Sequence, residues 1–193
     1  MQWKAARWPF FGVLLFVASS TWAASTYNFK IDSSASSVDA KVAFMGIGNR
    51  EAQFPAVRGS VTLSPSAIDR INLNVSIDAT RLKADDSLTT SRLKGEDFFH
   101  VAKYPTVRFE GTDLSMINST RGVVRGNLTA RGITRPVALD VSFSAPPARA
   151  NGTESIQLTG ITTINRRDFG MKAYSLIVGK KVTISMKTRL LPG

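Results

Sequence analysis

The side chains best suited to acid–base catalysis are scarce in this sequence. His100 is the only histidine among 193 residues, and there is no cysteine. General acid and base catalysis near neutral pH most often uses histidine, and a zinc site needs several His, Cys or carboxylate ligands. A lone histidine in a turn is more often solvated than catalytic. We therefore expect no catalytic residue, no metal site and no cofactor.

Two pairs of adjacent acids, Asp85-Asp86 and Glu96-Asp97, are the next candidates for chemistry. The first pair stands where a helix N-terminus favours negative charge, and the second follows in the turn after that helix. The serine and threonine residues lack a second histidine with which a catalytic triad could be completed. These acids have adequate structural explanations, so the sequence predicts a protein that is not an enzyme.

Two arginines are candidates for binding an anion. Arg131 lies in a turn between two strands, and Arg166 lies where another strand ends. If both turns lie at the rim of one cavity, the two guanidinium groups could bind a phosphate headgroup in bidentate fashion. The alternative is that Arg166 or Arg167 bonds Asp168 or nearby carbonyl groups and only fixes the turn. Both interpretations stay open at the level of sequence.

Strands must position these groups, because apolar and polar residues alternate through most of the chain. The clearest run extends from Ile71 to Thr80, where five apolar residues interleave with five polar ones. No helix would keep these apolar residues on one face. About eight or nine such runs, separated by turn-forming residues, indicate an all-β sandwich or barrel. A meander of long strands favours an antiparallel up-and-down barrel, whose closure leaves no exposed edge.

One segment interrupts the alternation. Residues 85–95 suit a short helix, with Asp85 or Asp86 capping its N-terminus. Phe98 and Phe99 follow at once, and adjacent aromatic residues after a helix usually fill a hydrophobic gap. We interpret this segment as a lid across one end of the barrel, with ordinary core packing as the alternative.

Residues 1–23 have the pattern of a secretory signal peptide. Basic residues precede an uncharged apolar run from Phe10 to Val17, which is too short to span a bilayer. Small residues up to Ala23 predict cleavage there, which leaves residues 24–193 as a single domain. The formal charge of +11 comes from scattered basic residues, a pattern more typical of a solvated surface than of nucleic-acid binding. Contact with a membrane surface and formation of a homodimer stay open.

Three ordered blocks of the sequence carry a family likeness. They are Leu93 to Phe99 with Tyr104, Pro105 and Phe109; Gly126 to Thr129 with Arg131 to Thr134, Pro136 and Val137; and Asn165 to Met171 with Val178, Gly179 and Val182. Together they resemble the YceI-like family of envelope lipid-binding proteins, although Arg92 and His100 stand where that family often has His and Asp. The resemblance implies a periplasmic, lipocalin-like barrel of eight antiparallel strands. It also implies a lumenal lipid, typically a polyisoprenoid such as a quinone-type or prenyl-phosphate chain.

The predicted function is that of a periplasmic binding and transport protein that holds an isoprenoid or similar amphiphilic lipid. The alternative is a structural or stress-related envelope protein with a packed lumen, because alternation identifies a buried face without showing that it is hollow. Burying hydrocarbon is favourable by about 0.8 kcal/mol per methylene, so a long prenyl chain needs an enclosed apolar tunnel. The residues predicted to line this tunnel are Val42, Phe44, Leu73, Val75, Ile77, Phe98, Phe99, Val141, Phe143, Leu158 and Ile184.

Overall fold

The computed structural model describes residues 25–46 and 48–193, and strands dominate it. The predicted signal peptide, residues 1–23, lies outside the described residues. The strands are β1 (Tyr27–Ile31), β2 (Ser37–Phe44), β3 (Gly48–Phe54), β4 (Val57–Leu63), β5 (Arg70–Asp78), β6 (Lys83–Ala84), β7 (Thr106–Met116), β8 (Arg121–Ala130), β9 (Ile133–Phe143), β10 (Ile156–Asn165) and β11 (Val178–Pro192). The helix α1 (Ser87–Lys94) precedes β7, and within the described residues no helix has the length and apolar character needed to cross a bilayer.

The strands form one closed antiparallel sheet. Hydrogen-bonded neighbours follow the order β1, β4, β5, β7, β8, β9, β10 and β11, and β11 pairs again with β1. The remaining strands β2, β3 and β6 continue the ring strands β1, β4 and β5. They repeat the same neighbours, since β2 pairs with β11, β3 pairs with β2, and β6 pairs with β3. Each of the pairs β1–β2, β3–β4 and β5–β6 is thus one interrupted strand. The predicted eight-stranded antiparallel up-and-down barrel is confirmed, as is the short helix near residues 85–95.

Local turns interrupt the first three strands of the ring. The carboxylate of Asp32 accepts from the backbone N–H of Ser34 at 3.0 Å, and Asp78 does the same with Thr80 at 3.0 Å. Such side-chain turns offer the backbone an alternative to the strand ladder. Pro55, between β3 and β4, has no N–H with which to continue a ladder. These breaks divide each of the three strands into two segments.

The connections define two ends of the barrel. Four links lie at one end, which we call the helical end because α1 belongs to it: they are the link between β2 and β3 and residues 85–105, 131–132 and 166–177. Links 64–69, 117–120 and 144–155 lie at the opposite end, together with Gly193. Each of the eight strands of the ring, with the interrupted ones taken whole, therefore runs from one end of the barrel to the other.

The interior is packed solidly towards the opposite end. The side chains of this packed half that are at most 2% exposed include Phe29, Leu63, Leu73, Leu114, Val124, Val141, Leu158 and Leu190. Full burial of such a side chain contributes about 1.5–3 kcal/mol relative to exposure. This half of the interior is therefore a major source of the stability of the barrel.

Candidate functional site

The interior of the barrel is hollow towards the helical end. A cavity of about 510 Å³ lies there, within the range of roughly 300–1,000 Å³ that is typical of small-molecule sites. Its wall is mainly hydrocarbon and includes Val38, Ala40, Ala52, Phe54, Val107, Phe109, Leu128, Ala130, Val137, Leu139, Ile164, Val182 and Met186. The packed half of the interior forms the floor of this cavity.

The residues predicted to line a lumen divide between the cavity and the packed half. Seven of them border the cavity: Val42, Phe44, Val75, Ile77, Phe98, Phe99 and Ile184. The other four belong to the packed half and are at most 5% exposed: Leu73, Val141, Phe143 and Leu158. These four are core residues and not cavity residues. Period-two alternation identifies the inward positions along a strand, but it does not show where along the strand the packing ends.

Helix α1 covers part of the opening of the cavity. The carboxylate of Asp86 caps its N-terminus by accepting from the backbone N–H of Thr89 at 2.7 Å, and Gly95 is its C-cap. Leu88 and Leu93 both border the cavity. Leu93 also packs against the core, whereas Leu88 is 60% exposed. The helix therefore joins the cavity wall to the outer surface.

Two aromatic residues that follow α1, Phe98 and Phe99, pack against other elements at the opening. The ring of Phe99 packs edge-on against Phe54 with a centroid distance of 5.5 Å. The ring of Phe98 stacks on Tyr174 at 5.9 Å, so it contacts the link that precedes β11. Aromatic pairs of this kind contribute about 0.5–1.5 kcal/mol beyond the burial of their area. All four rings border the cavity.

One cation is buried in the cavity wall. Arg166 begins a short 3-10 turn after β10 and is only 3% exposed. Its guanidinium donates to the carbonyl oxygens of Met171 at 2.6 Å, Gly179 at 2.9 Å and Val178 at 3.0 Å. Within the described residues, no carboxylate lies within 4.0 Å of it. Burial and, to a lesser extent, Arg167 lower the pKa of Arg166, but a guanidinium stays charged at neutral pH.

The surroundings of Arg166 combine both interpretations of its role. Its partners are nearby carbonyl groups, and not Asp168, so it fixes the turn. It also borders the cavity, and its Cζ lies 5.9 Å from the ring centroid of Phe98. Three carbonyl dipoles compensate part of the charge, but a buried cation without a counter-ion remains costly. An anion in the cavity would supply the missing partner.

Arg131 does not border the cavity. It adopts a φ of +52° in the turn between β8 and β9, and its guanidinium donates to the carbonyl oxygens of Gly170 and Glu96, the latter at 2.7 Å. Arg131 therefore connects three links at the helical end. The structure does not bring Arg131 and Arg166 onto one headgroup site, because the direction of a turn side chain depends on a backbone conformation that the sequence does not specify.

Two further arginines that sequence reasoning did not select, Arg50 and Arg92, border the cavity. The Cζ atom of Arg50 lies 4.9 Å from the ring centroid of Phe44, and that of Arg92 lies 5.8 Å from Tyr174. Cation–π contacts of this length favour a cation over the ring face. With Arg166, the opening carries three cationic side chains. In the sequence, Arg92 is distinguished only by its departure from the family pattern, and no pattern distinguishes Arg50.

Two of the residues first considered for catalysis, His100 and Asp86, have structural partners. His100 has a φ of +49°, packs edge-on against Tyr104 at 5.9 Å, and is not part of the cavity wall. Asp86 borders the cavity but serves as the helix cap. In residues 25–46 and 48–193, no group of three His, Asp or Glu side chains could hold a metal ion. Five charged side chains border the cavity: Arg50, Arg92 and Arg166 are cationic, and Glu51 and Asp86 are acidic, which leaves a net positive charge.

Comparisons with known proteins agree with this architecture. The YceI-like domain matches residues 29–190. A UPF0312 protein of Vibrio cholerae is 24% identical over 161 residues, which cover 82% of this chain and 85% of that protein. The crystal structure of BcnA from Burkholderia cenocepacia aligns with a TM-score of 0.71 and 21% identity over 82% of this chain and 98% of that one. A polyisoprenoid-binding domain from Saccharophagus degradans aligns with a TM-score of 0.65 and 13% identity over 86% of this chain and 98% of that one. Since the domain match spans most of the sequence, the chain belongs to the YceI-like family.

Proposed function

We propose that this protein is a periplasmic carrier that holds an isoprenoid or similar amphiphilic lipid in its barrel and performs no chemistry on it. The observation that carries the proposal is an apolar cavity of about 510 Å³ with a buried cation in its wall, Arg166, which has no carboxylate partner among the described residues. The similar fold of a polyisoprenoid-binding domain supports a lipid ligand. The signal-peptide pattern of residues 1–23 supports export.

The tail of the lipid lies among the apolar wall residues. Val42, Val75 and Ile184 come from three different strands and present only hydrocarbon to the cavity. Each methylene removed from water contributes about 0.8 kcal/mol. A prenyl chain of several units therefore gains enough to offset the entropy that is lost when it is held in place. The alternative is an envelope protein with a packed lumen that acts only through its outer surface. It explains the packed half of the interior but gives the hollow half no role.

The headgroup of the lipid lies at the opening, beside Arg166. A phosphate oxygen there accepts charge-assisted hydrogen bonds, which are roughly twice as strong as neutral ones. Arg50 and Arg92 add positive charge nearby. The arrangement favours an anionic headgroup over a neutral alcohol with the same tail.

The first test is to identify the lipid that accompanies the protein. Native mass spectrometry of the protein recovered from its host's envelope, followed by organic extraction, should show a bound amphiphile with a hydrocarbon tail. In solution, geranylgeranyl phosphate with a fluorescent label should bind with one molecule per barrel. The labelled alcohol should bind more weakly.

A matched pair of variants tests whether the cavity is the binding site. Ala40 borders the cavity, so Ala40→Trp should fill it and reduce binding of the labelled phosphate at least tenfold. Ala138 is exposed on the outside of β9, so Ala138→Trp should leave binding unchanged. Circular dichroism should show the same β-structure in both variants. Equal affinity of Ala40→Trp and the parent protein would exclude the cavity as the site.

A further inference from the structure

Exposed apolar residues are concentrated around the opening of the cavity. Leu88, Tyr174 and Ile177 border the cavity and are also exposed. Leu176 lies between the last two and is 100% exposed, and the backbone N–H of Met45 donates to the carbonyl oxygen of Ile177 at 2.7 Å. We call these five residues the apolar rim. They come from three separate links, so folding brings them together.

The apolar rim is a local feature and not a general property of the surface. The described part of the chain has eight large apolar side chains that are strongly exposed, and five of them form the rim. The other three, Ile117, Ile161 and Leu191, lie elsewhere. Ile117 is in the link between β7 and β8 at the opposite end of the barrel. Single exposed apolar residues are ordinary, whereas a cluster rimmed by polar groups marks an interaction surface.

Basic residues flank the apolar rim. Residues 166–182 contain five cationic side chains and one acidic side chain. Of these cations, Arg167, Lys172, Lys180 and Lys181 are exposed. Long basic side chains can place their stems along apolar surface while the charged group reaches a polar layer.

Three acidic residues near the opening have partners, whereas Glu51, in the cavity wall, is a further acid. A carboxylate oxygen of Asp85 lies 3.8 Å from Arg50, Asp86 caps α1, and Asp168 accepts from the side chain of Asn165. Their charges are therefore partly compensated. An apolar surface with a basic border matches an anionic leaflet, in which charged headgroups surround a hydrocarbon interior.

We propose that the apolar rim is a docking surface for an anionic lipid bilayer. Leu176 and Ile177 insert among the acyl chains, Tyr174 lies at the headgroup level, and Lys172, Lys180 and Lys181 contact the anionic headgroups. In this orientation the cavity opens directly onto the bilayer. A tail then passes between membrane and barrel without crossing water. Leu176, Lys180 and Lys181 do not border the cavity, so substitutions at these three residues test docking separately from lipid binding.

A fluorescence measurement on vesicles tests the docking surface. The three tryptophans of the sequence, Trp3, Trp8 and Trp22, lie within the predicted signal peptide, so Leu176→Trp gives the mature chain a single tryptophan. Vesicles of phosphatidylglycerol and phosphatidylcholine should shift its emission to shorter wavelength. Pure phosphatidylcholine vesicles should produce a much smaller shift. In the matched control Ile117→Trp, at the opposite end of the barrel, no shift should occur.

Co-sedimentation of the mature chain with the same vesicles gives a second measurement. Leu176→Asp should lower partitioning onto the anionic vesicles about tenfold, because the variant has no leucine side chain to transfer from water into the acyl chains. The combination of Lys180→Glu and Lys181→Glu should remove the preference for anionic vesicles. Ile117→Asp should have no effect. All of these variants should still bind labelled geranylgeranyl phosphate in solution, which separates failure of docking from failure of the carrier function.

Several outcomes would overturn the proposal. One is equal partitioning of the parent protein onto anionic and neutral vesicles. Another is an equal effect of Leu176→Asp and Ile117→Asp. A third is a change of molar mass in light scattering caused by Leu176→Asp without any change in vesicle binding, which would identify the apolar rim as a contact between two copies of the chain.

Discussion

The guanidinium of Arg166 bonds carbonyl groups of the link that precedes β11 and of β11 itself. Met171 lies in the middle of this link, and Val178 and Gly179 lie at the beginning of the strand. The planar group can reach all three oxygens because its donors point in fixed, diverging directions. The same side chain therefore shapes the opening and provides its charge.

Replacement of Arg166 by lysine should separate geometry from charge. An ammonium group is a compact point charge that cannot reproduce the fork, so Arg166→Lys should lower the free energy of unfolding by about 1–3 kcal/mol. The neighbouring Arg167 is exposed, so Arg167→Lys should change it by less than about 0.5 kcal/mol. Urea denaturation monitored by circular dichroism provides both values. Identical denaturation curves for the two variants would show that the carbonyl contacts contribute little.

Helix α1 is a short element that depends on a few local contacts. It has eight residues, fewer than an isolated helix needs to be stable in water. Besides the cap at Asp86, the hydroxyl of Thr90 accepts from the backbone N–H of Ala84 at 2.9 Å, and Leu93 packs against the core. Such elements open locally before the whole fold unfolds. Opening of α1 would widen the entrance to the cavity.

Loss of the cap should accelerate this local opening. An N-cap carboxylate contributes about 1 kcal/mol, so Asp86→Ala should speed hydrogen exchange of the amides in α1 about fivefold. The β-strand amides should keep their protection. Asp85 is adjacent but does not cap the helix, which makes Asp85→Ala the control. Hydrogen exchange read by mass spectrometry gives both results, and equal acceleration in the two variants would contradict a specific role of the cap.

The sequence is most informative about whole elements and least informative about how they converge. Alternation over residues 71–80 predicts a strand with one buried face, and the acidic pair before Ser87 predicts the start of α1. The alternation cannot show that Leu73 is packed whereas Ile77 borders the cavity, because both residues occupy inward positions of β5. The sequence pattern also does not predict that Arg50 lies at the opening, because the position of Arg50 depends on how β3 packs with strands that are distant in sequence.

At the scale of the whole molecule, one junction closes the barrel. The backbone N–H of Asp32, just after β1, donates to the carbonyl oxygen of Arg189 in β11 at 2.8 Å. The side chain of Arg189 in turn donates to the Asp32 carboxylate, with an Nε–Oδ2 distance of 2.9 Å. The hydroxyl of Ser34 donates to the other carboxylate oxygen at 2.6 Å. The bonds to the carboxylate, that of the Ser34 hydroxyl first and that of Arg189 second, lower the pKa of Asp32 from 3.8 to about 2.

The closure should therefore weaken in acid. Because the pKa of Asp32 is lower in the folded protein, its contribution to stability is complete above about pH 4 and is lost as the pH falls towards 2. Asp32→Asn should flatten the pH dependence of the free energy of unfolding in this interval. Glu154 is exposed, so Glu154→Gln is the control. Thermal unfolding at a series of pH values tests this, and parallel curves for the parent protein and Asp32→Asn would be inconsistent with it.

The packed half of the interior limits how far a tail can extend into the cavity from the helical end. For a lipid held as proposed, the tail enters first and stops against the packed side chains, so its length sets the height at which the polar group comes to rest. A short chain draws that group below the level of the arginines, and a long chain leaves it outside them. A barrel of this shape can thus select its cargo by the number of isoprene units as well as by charge.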